Sequence, residues 1–465
     1  MESVVRLLEI NIQNIKNVKN GKVELLNNNI KKSLKLEAGD VLGIYGQNGS
    51  GKTAVVDTLG ILKTILSGDS LEKSLKELIT VEEKECILFF KFYIETLEKK
   101  YIVEYEITIE KIEEKIQISN EVIKYIQFVD GIWEKKQTLI EVPYNKEIIK
   151  PKNRFKDILA NNEHKINIKV AEGIARKLNI SFIFSSEANE IMRNIYDPKN
   201  DLLVILDILK KFGKMDLFIV SNKEIGMITL NLLLPLKIKR NEAAGSIPIN
   251  IGQSEINIGQ SENLIINEKI FEDVKDTIKE INIVLKTIIP ELQLELFEQR
   301  RELANENEIN IVAELIAVRD KKKIPLRNES EGIKRIVSIL GVIIAVYHEK
   351  NICLVIDEFD SGIFEYLLGE ILEILSSEIK GQLIFTSHNL RILEKINKES
   401  ILFTTSNPEN RYIRFKYLKP NNNLRDMYLR ELIVQEQEEE LYKETNTYDI
   451  RRSLYKAGEL NGKKR

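Results

Sequence analysis

Val41-Leu-Gly-Ile-Tyr45-Gly46-Gln47-Asn48-Gly49-Ser50-Gly51-Lys52-Thr53 is the stretch on which the fold turns. It opens as a short apolar strand, passes through a glycine-rich turn that fits G-x-x-x-x-G-K-[ST], and leads into the helically spaced run Ala54 to Leu66. Strand, turn and helix in this order build a phosphate cradle, because backbone N–H groups converge on an anion at a helix N-terminus. The spacing gives Gly46, Gln47, Asn48, Gly49, Ser50 and Gly51 to the cradle, Lys52 to the β- and γ-phosphate oxygens, and Thr53 to a Mg²⁺ ion. ATP and Mg²⁺ are therefore expected. The bland alternative, a glycine turn with no ligand, does not account for the strand before it and the helix after it.

A phosphate loop needs a second strand that ends in a carboxylate. Cys353-Leu354-Val355-Ile356-Asp357-Glu358 supplies four apolar residues and then two acids. Asp357 is placed in the metal shell, and Glu358, one residue on, can take the proton of the attacking water. Leu383-Ile384-Phe385-Thr386-Ser387-His388 is a further apolar strand, ending in a histidine at the end where open parallel sheets bind ligands. His388 is read as a contact to the γ-phosphate. Upstream, Asn328-Glu-Ser330-Glu-Gly332-Ile-Lys-Arg335 leads into an apolar helix, and helix capping by Ser330 is its simplest reading.

Working outward, Leu7 to Leu26 alternates with a break at Asn20-Gly21, which predicts a hairpin. Cys86 to Ile94, Tyr101 to Ile109 and Lys115 to Ile118 continue as an antiparallel meander. The middle reads as helices Leu202 to Phe212 and Glu268 to Ile289, strands Phe182 to Phe184, Leu217 to Val220 and Met227 to Pro235, and a loop containing a duplicated heptapeptide, Ile249 to Glu255 and Ile256 to Glu262. From Ile309 onward, helices alternate with fully apolar strands, the pattern of a doubly covered parallel sheet. The expected division is 1–130 with the phosphate loop, 131–300 as a largely helical insertion, 301–420 with Ser330, Asp357 and His388, and 421–465 as a helical tail. The acidic run Glu436 to Glu440 reads as a solvated face of that tail.

In order, phosphate loop, Ser-Glu-Gly, Asp-Glu and Thr-Ser-His resemble the Walker A, signature, Walker B and switch motifs of an ABC-class ATPase head. Asn14-Ile-Lys-Asn-Val-Lys19, Ile333-Lys-Arg335 and Asp357-Glu-Phe-Asp360 bring the chain near the soluble AAA-type ATPases related to the OLD (overcoming lysogenization defect) proteins. It looks similar to the ATPase partner of two-gene phage-defence systems of the PARIS and abortive-infection type. The resemblance implies an α/β ABC head that homo-oligomerises through a head-to-head ATP sandwich, with Ser330 and Gly332 of one subunit completing the Lys52 site of the other. It also implies control of a separate effector, a Toprim-type nuclease or another toxin. The signature departs from the transporter form, Phe364 stands where a D-loop acid would fall, and Glu187 or Asn189 is the only Q-loop candidate. The residues after the last core strand are too few for the Toprim domain of OLD nucleases.

Composition narrows the remaining classes. Of 465 residues, 69 are basic and 72 acidic, for a net charge of −3, so no global field draws the chain onto nucleic acid. Local groups such as Lys210-Lys211 and Lys463-Lys464-Arg465 read as solvated surface. Two cysteines and three histidines exclude a disulfide framework and a Cys- or His-rich metal centre. No apolar run approaches the roughly 18 residues of a bilayer span, and Met1 to Leu8 lacks the core of a signal peptide, so a cytoplasmic location is expected. The rival reading is a DNA-repair or chromosome-maintenance ATPase that grips DNA directly. A third is an ATP-bound scaffold that barely hydrolyses.

Overall fold

The computed structural model describes residues 3–25, 39–113, 115–144, 149–221, 236–239, 246–249, 264–305, 308–320, 322–415, 423–434, 438–442 and 446–462. It is the α/β architecture expected, a mixed sheet carrying the phosphate loop and packed against an antiparallel meander. The central sheet runs in the order Tyr412–Ile413, Ile401–Thr404, Asp40–Tyr45, Gln382–Ser387, Cys353–Ile356, Leu217–Val220. Its pairs are parallel except at the Tyr412–Ile413 edge. Both faces are covered, which is why these strands read as continuous apolar runs. Leu42, Ile44, Val355 and Ile384 enter one core, and Val41, Tyr45, Leu354, Ile356, Leu383 and Phe385 the other.

The first core lies under the meander. There Ser3–Ile15, Val18–Glu24, Glu85–Thr96, Lys100–Ile112 and Lys115–Val129 form a curled antiparallel sheet, joined by Gln137–Pro143. The alternation of Val103, Tyr105, Ile107 and Ile109 buries all four fully. The phosphate-loop helix, Lys52–Ser67, fills the same core through Val55, Leu59 and Leu62. Gln382 ties the two sheets together: its Oε1 accepts from Leu7 N at 2.8 Å, and its Nε2 donates to Leu7 O at 2.9 Å and to Asp40 Oδ2 at 3.0 Å.

The expected insertion is largely helical, with Asn162–Leu178, Ser186–Ile195, Asp201–Lys211 and Glu268–Ile288. It also gives the central sheet its edge strand Leu217–Val220, and the 300 boundary falls inside the strand Gln293–Asn305. One expectation is corrected here. Phe182 to Phe184 is a turn rather than a strand, because its amides are taken by side chains: Phe182 N donates to Glu121 Oε2 at 3.1 Å and Phe184 N to Ser181 Oγ at 3.2 Å.

A second correction concerns the acidic run. Its described part, 438–440, lies in a bent segment, 438–442, laid on a loop rather than on a helical face. Glu439 accepts from Asn407 Nδ2 at 3.0 Å and Asn410 Nδ2 at 2.9 Å, Glu440 Oε2 accepts from Ser406 Oγ at 2.8 Å, and Leu441 is buried. The tail helices are Leu424–Val434 and Thr447–Gly462. The strand expected at 227–235 and nearly all of the duplicated heptapeptide lie outside the described residues. No helix among the described residues is long and apolar enough to cross a membrane.

Candidate active site

Three neighbouring strands of the central sheet end on one side, after Tyr45, Ile356 and Ser387. Parallel pairing therefore delivers the phosphate loop, Asp357-Glu358 and His388 to a common edge, where such sheets bind ligands. The loop is built by close approach. A Cβ at Gly46 would lie 1.6 Å from Thr404 Oγ1, and Gly49 and Gly51 hold φ of 76° and 95°, a region that disfavours side chains. On its outer side the cradle is open, since a Cβ at Gly49 would meet nothing within 4 Å.

The loop is braced from segments far away in sequence. Thr404 donates to Tyr45 O at 3.1 Å and lies 2.5 Å from the Ser50 hydroxyl, which donates to Gln47 O at 2.7 Å. Tyr412 OH donates to Gly51 O at 2.7 Å. Asn17 Nδ2 donates to Gly49 O, and the Asn17 carbonyl in turn accepts from Arg411. The Lys52 ammonium lies along the loop, donating to Gly46 O at 2.8 Å and Gln47 O at 2.9 Å. Burial lowers its pKa to about 8, against the opposing pull of Asp357, Glu358 and Asp360.

A single hydroxyl sets both acids. Thr386 Oγ1 donates to Asp357 Oδ1 at 2.6 Å and accepts from Glu358 N at 2.7 Å. Asp357 is buried, and its own N–H donates to Val220 O at 2.9 Å. Glu358, partly exposed, has φ 47°, in the left-handed region. His388 N donates to Asp360 Oδ2 at 3.1 Å, and the imidazole pKa is lowered by desolvation and then by the Lys52 charge. Lys52, Asp357, Glu358 and His388 thus act on one another across the three strand ends.

The remaining candidates fall elsewhere. Ser330 is exposed at the start of the helix Glu331–His348, in N-cap backbone geometry, but its hydroxyl makes no capping hydrogen bond. Gly332 packs against Gly362, whose carbonyl would be 2.3 Å from a Cβ there. Among the described residues, neither hydrogen-bonds to the phosphate loop of its own chain. Glu187 and Asn189 sit on the helix Ser186–Ile195 rather than at a strand end. The strand that ends beside Asp357 is Leu217–Val220, followed by Ser221. Phe364 is 69% exposed and stacks on Tyr366, with ring centroids 5.6 Å apart. Sequence reasoning gave no role to Thr386, Thr404, Arg335 or Asp360. Asp360 and Arg335 lie within quoted motifs, but only the folded chain shows what they touch.

The residues fit a magnesium nucleotide. The cradle is open at Gly49, Lys52 lies along it on the Gly46 and Gln47 carbonyls, and Thr53 and Asp357 are hard oxygen donors of the kind Mg²⁺ takes. Among the described residues no group of three or more His, Cys, Asp or Glu side chains is disposed to hold a metal.

Residues 255–394 match the family profile described as "AAA domain, putative AbiEii toxin, Type IV TA system". That span holds Ser330, Gly332, Asp357, Glu358 and His388, but not the phosphate loop. No curated protein matches. Among solved structures, the chain is similar to an Smc head bound to the C-terminal winged-helix domain of ScpA, with 13% identity, 88% of this chain and 98% of the other covered, and a TM-score of 0.41. An Smc head domain from Thermotoga maritima matches at 11% identity over 88% of this chain and 99% of the other, with a TM-score of 0.35. The recombination mediator RecF with ATP matches at 14% identity over 83% and 94%, with a TM-score of 0.34. These scores are too low to carry weight of their own beside the strand order and motif positions.

Proposed function

We propose that this chain is a Mg²⁺-dependent ATPase of the ABC type, working as an ATP-gated sensor or scaffold that controls a separate effector in anti-phage defence. The observation that carries the enzymatic reading is the meeting of Lys52, Asp357, Glu358 and His388 at three adjacent strand ends. Lys52 and the loop amides hold the β- and γ-phosphates, and Thr53 and Asp357 hold Mg²⁺, which offsets phosphate charge when bound. Glu358 aligns the attacking water and takes its proton as the new P–O bond forms and the bond to the ADP oxygen breaks. His388 contacts the departing γ-phosphoryl group. Catalysis then rests on positioning and charge stabilisation. The effector role is supported by the toxin–antitoxin wording of the matched family. The exposed tail helix Thr447–Gly462, with Tyr448, Leu454 and Tyr455 facing solvent, is a surface a partner could use.

Two substitutions test the enzymatic reading. Glu358→Gln should bind ATP as the parent does and lower hydrolysis by roughly 10²-fold or more, the worth of a general base. Lys52→Ala should instead weaken binding itself, measured by filter retention of labelled ATP. Hydrolysis by Glu358→Gln at the parent rate would remove Glu358 from its role.

A further inference from the structure

Arg335 lies one turn into the helix Glu331–His348, and the residue is 4% exposed. Only one of its nitrogens is engaged. Nη2 donates to Asp357 O at 2.9 Å and to Glu358 O at 3.3 Å, while Nε and Nη1 have no hydrogen-bond partner. A buried cation so poorly satisfied is costly for stability alone, and an apolar side chain of similar length would avoid that cost. Its surroundings show what keeps it there. The charges of Asp357, Glu358 and Asp360 favour the guanidinium, and it donates to the carbonyl of Glu358, the one of these three acids whose backbone is left-handed.

Glu358 needs such holding, because a non-glycine residue at φ 47° persists only where its surroundings over-determine it. Thr386 takes its N–H, while Ser361 N at 2.9 Å and Arg335 share its carbonyl. The same helix meets this turn a second time, where Gly332 leaves no room for a Cβ against Gly362 O and Gly362 itself has φ 73°. The helix presenting Ser330 and Gly332 at its tip is thereby clamped, at two points, to the turn that aims Glu358.

We propose that Arg335 is a positioning residue: it holds the Glu358 turn from the signature helix of the same subunit, so that whatever Ser330 and Gly332 touch is felt by the base. This rests on the reading of Glu358 as the base. Arg335 does not touch the reacting atoms and acts through the backbone of the Asp357-Glu358 turn.

The test is a double-mutant cycle on the full chain, with single-turnover ATP hydrolysis and ATP affinity both measured for Arg335→Met, Glu358→Gln and the double variant. Arg335→Met alone should slow hydrolysis roughly 100-fold, most of the value of a well-placed base. ATP affinity should stay within about threefold of the parent, as for an interaction made only in the transition state. In the Glu358→Gln background the same change should cost less than about threefold more, since residues acting as a unit are non-additive. Equal losses in both backgrounds, or a loss in affinity with the rate retained, would overturn the inference while leaving Glu358 as the base. If Glu358→Gln alone hydrolyses ATP at the parent rate, the base reading falls and the inference falls with it. Should Arg335→Met not fold by thermal denaturation, Arg335→Lys goes through the same cycle, with the same non-additivity expected and additivity contradicting it.

Discussion

Lys52 is a lysine whose charge is held only weakly in the free protein. Burial brings its pKa down to about 8, although three carboxylates pull the other way. Below that pH the ammonium is present, and a bound triphosphate keeps it charged. Above it the free protein has lost the proton, and binding must recover one from solvent. Nucleotide affinity should therefore fall above about pH 8, by up to about tenfold per unit until the pKa of the bound state is reached. Binding of a non-hydrolysable ATP analogue, followed from about pH 7 to 9.5, checks this, and Lys52→Arg should flatten the curve because a guanidinium does not titrate there. A flat profile in the parent would contradict the charge assignment. The placement of Lys52, Asp357 and Glu358 beside strand ends was legible in sequence because a phosphate loop and a strand-end acid pair are local, contiguous patterns. Thr386, Thr404 and Arg335 were not, since each acts on a residue brought near only by folding, as when Thr404 meets Ser50.

At the scale of elements, Glu121 joins the meander to the helices that follow it. Its fully buried carboxylate accepts from Tyr105 OH at 2.7 Å, Tyr144 OH at 2.6 Å, Ser181 Oγ at 2.5 Å and Phe182 N at 3.1 Å. Desolvation raises its pKa, with the hydrogen bonds acting against that rise. Glu121→Leu strands three hydroxyl donors, Phe182 N keeping Tyr144 OH at 2.9 Å, and should destabilise the fold by more than about 3 kcal/mol. Glu121→Gln should cost about 1 kcal/mol, because the hydroxyls can turn to accept from the amide. Urea unfolding of the two variants measures the difference, and a Leu variant as stable as the parent would show that the network is incidental. This element also shows where pattern reading stopped. The strands of the meander announced themselves by alternation, because one face of each is buried. The short apolar run Phe182 to Phe184 matched a strand equally well, and it is a carboxylate 61 residues upstream in the chain, with the Ser181 hydroxyl, that turns it into a bend. The edge strand Leu217–Val220 was legible as a strand, but its neighbour in the sheet was not, since periodicity carries no information about pairing.

For the whole molecule, the site is divided in a way that one chain leaves open. Lys52, Asp357, Glu358 and His388 share an edge, whereas Ser330 and Gly332 stand at an exposed helix tip and, among the described residues, make no hydrogen bond to the phosphate loop of their own chain. We propose that two heads close on two ATP molecules, with the Ser330 tip of each completing the Lys52 site of the other. Mixing two inactive variants tests this most directly. Ser330→Arg spoils only the tip and Glu358→Gln only the base, so a mixed dimer contains one intact composite site and one doubly damaged site. Steady-state ATP hydrolysis should be near background for each variant alone. It should return in the mixture to at most roughly a quarter of the parent rate, as random pairing of equal amounts makes half the dimers mixed, each with one working site of two, whose base is held by the helix carrying the altered tip. No recovery at any mixing ratio, with mixed dimers shown to form, would contradict the shared site.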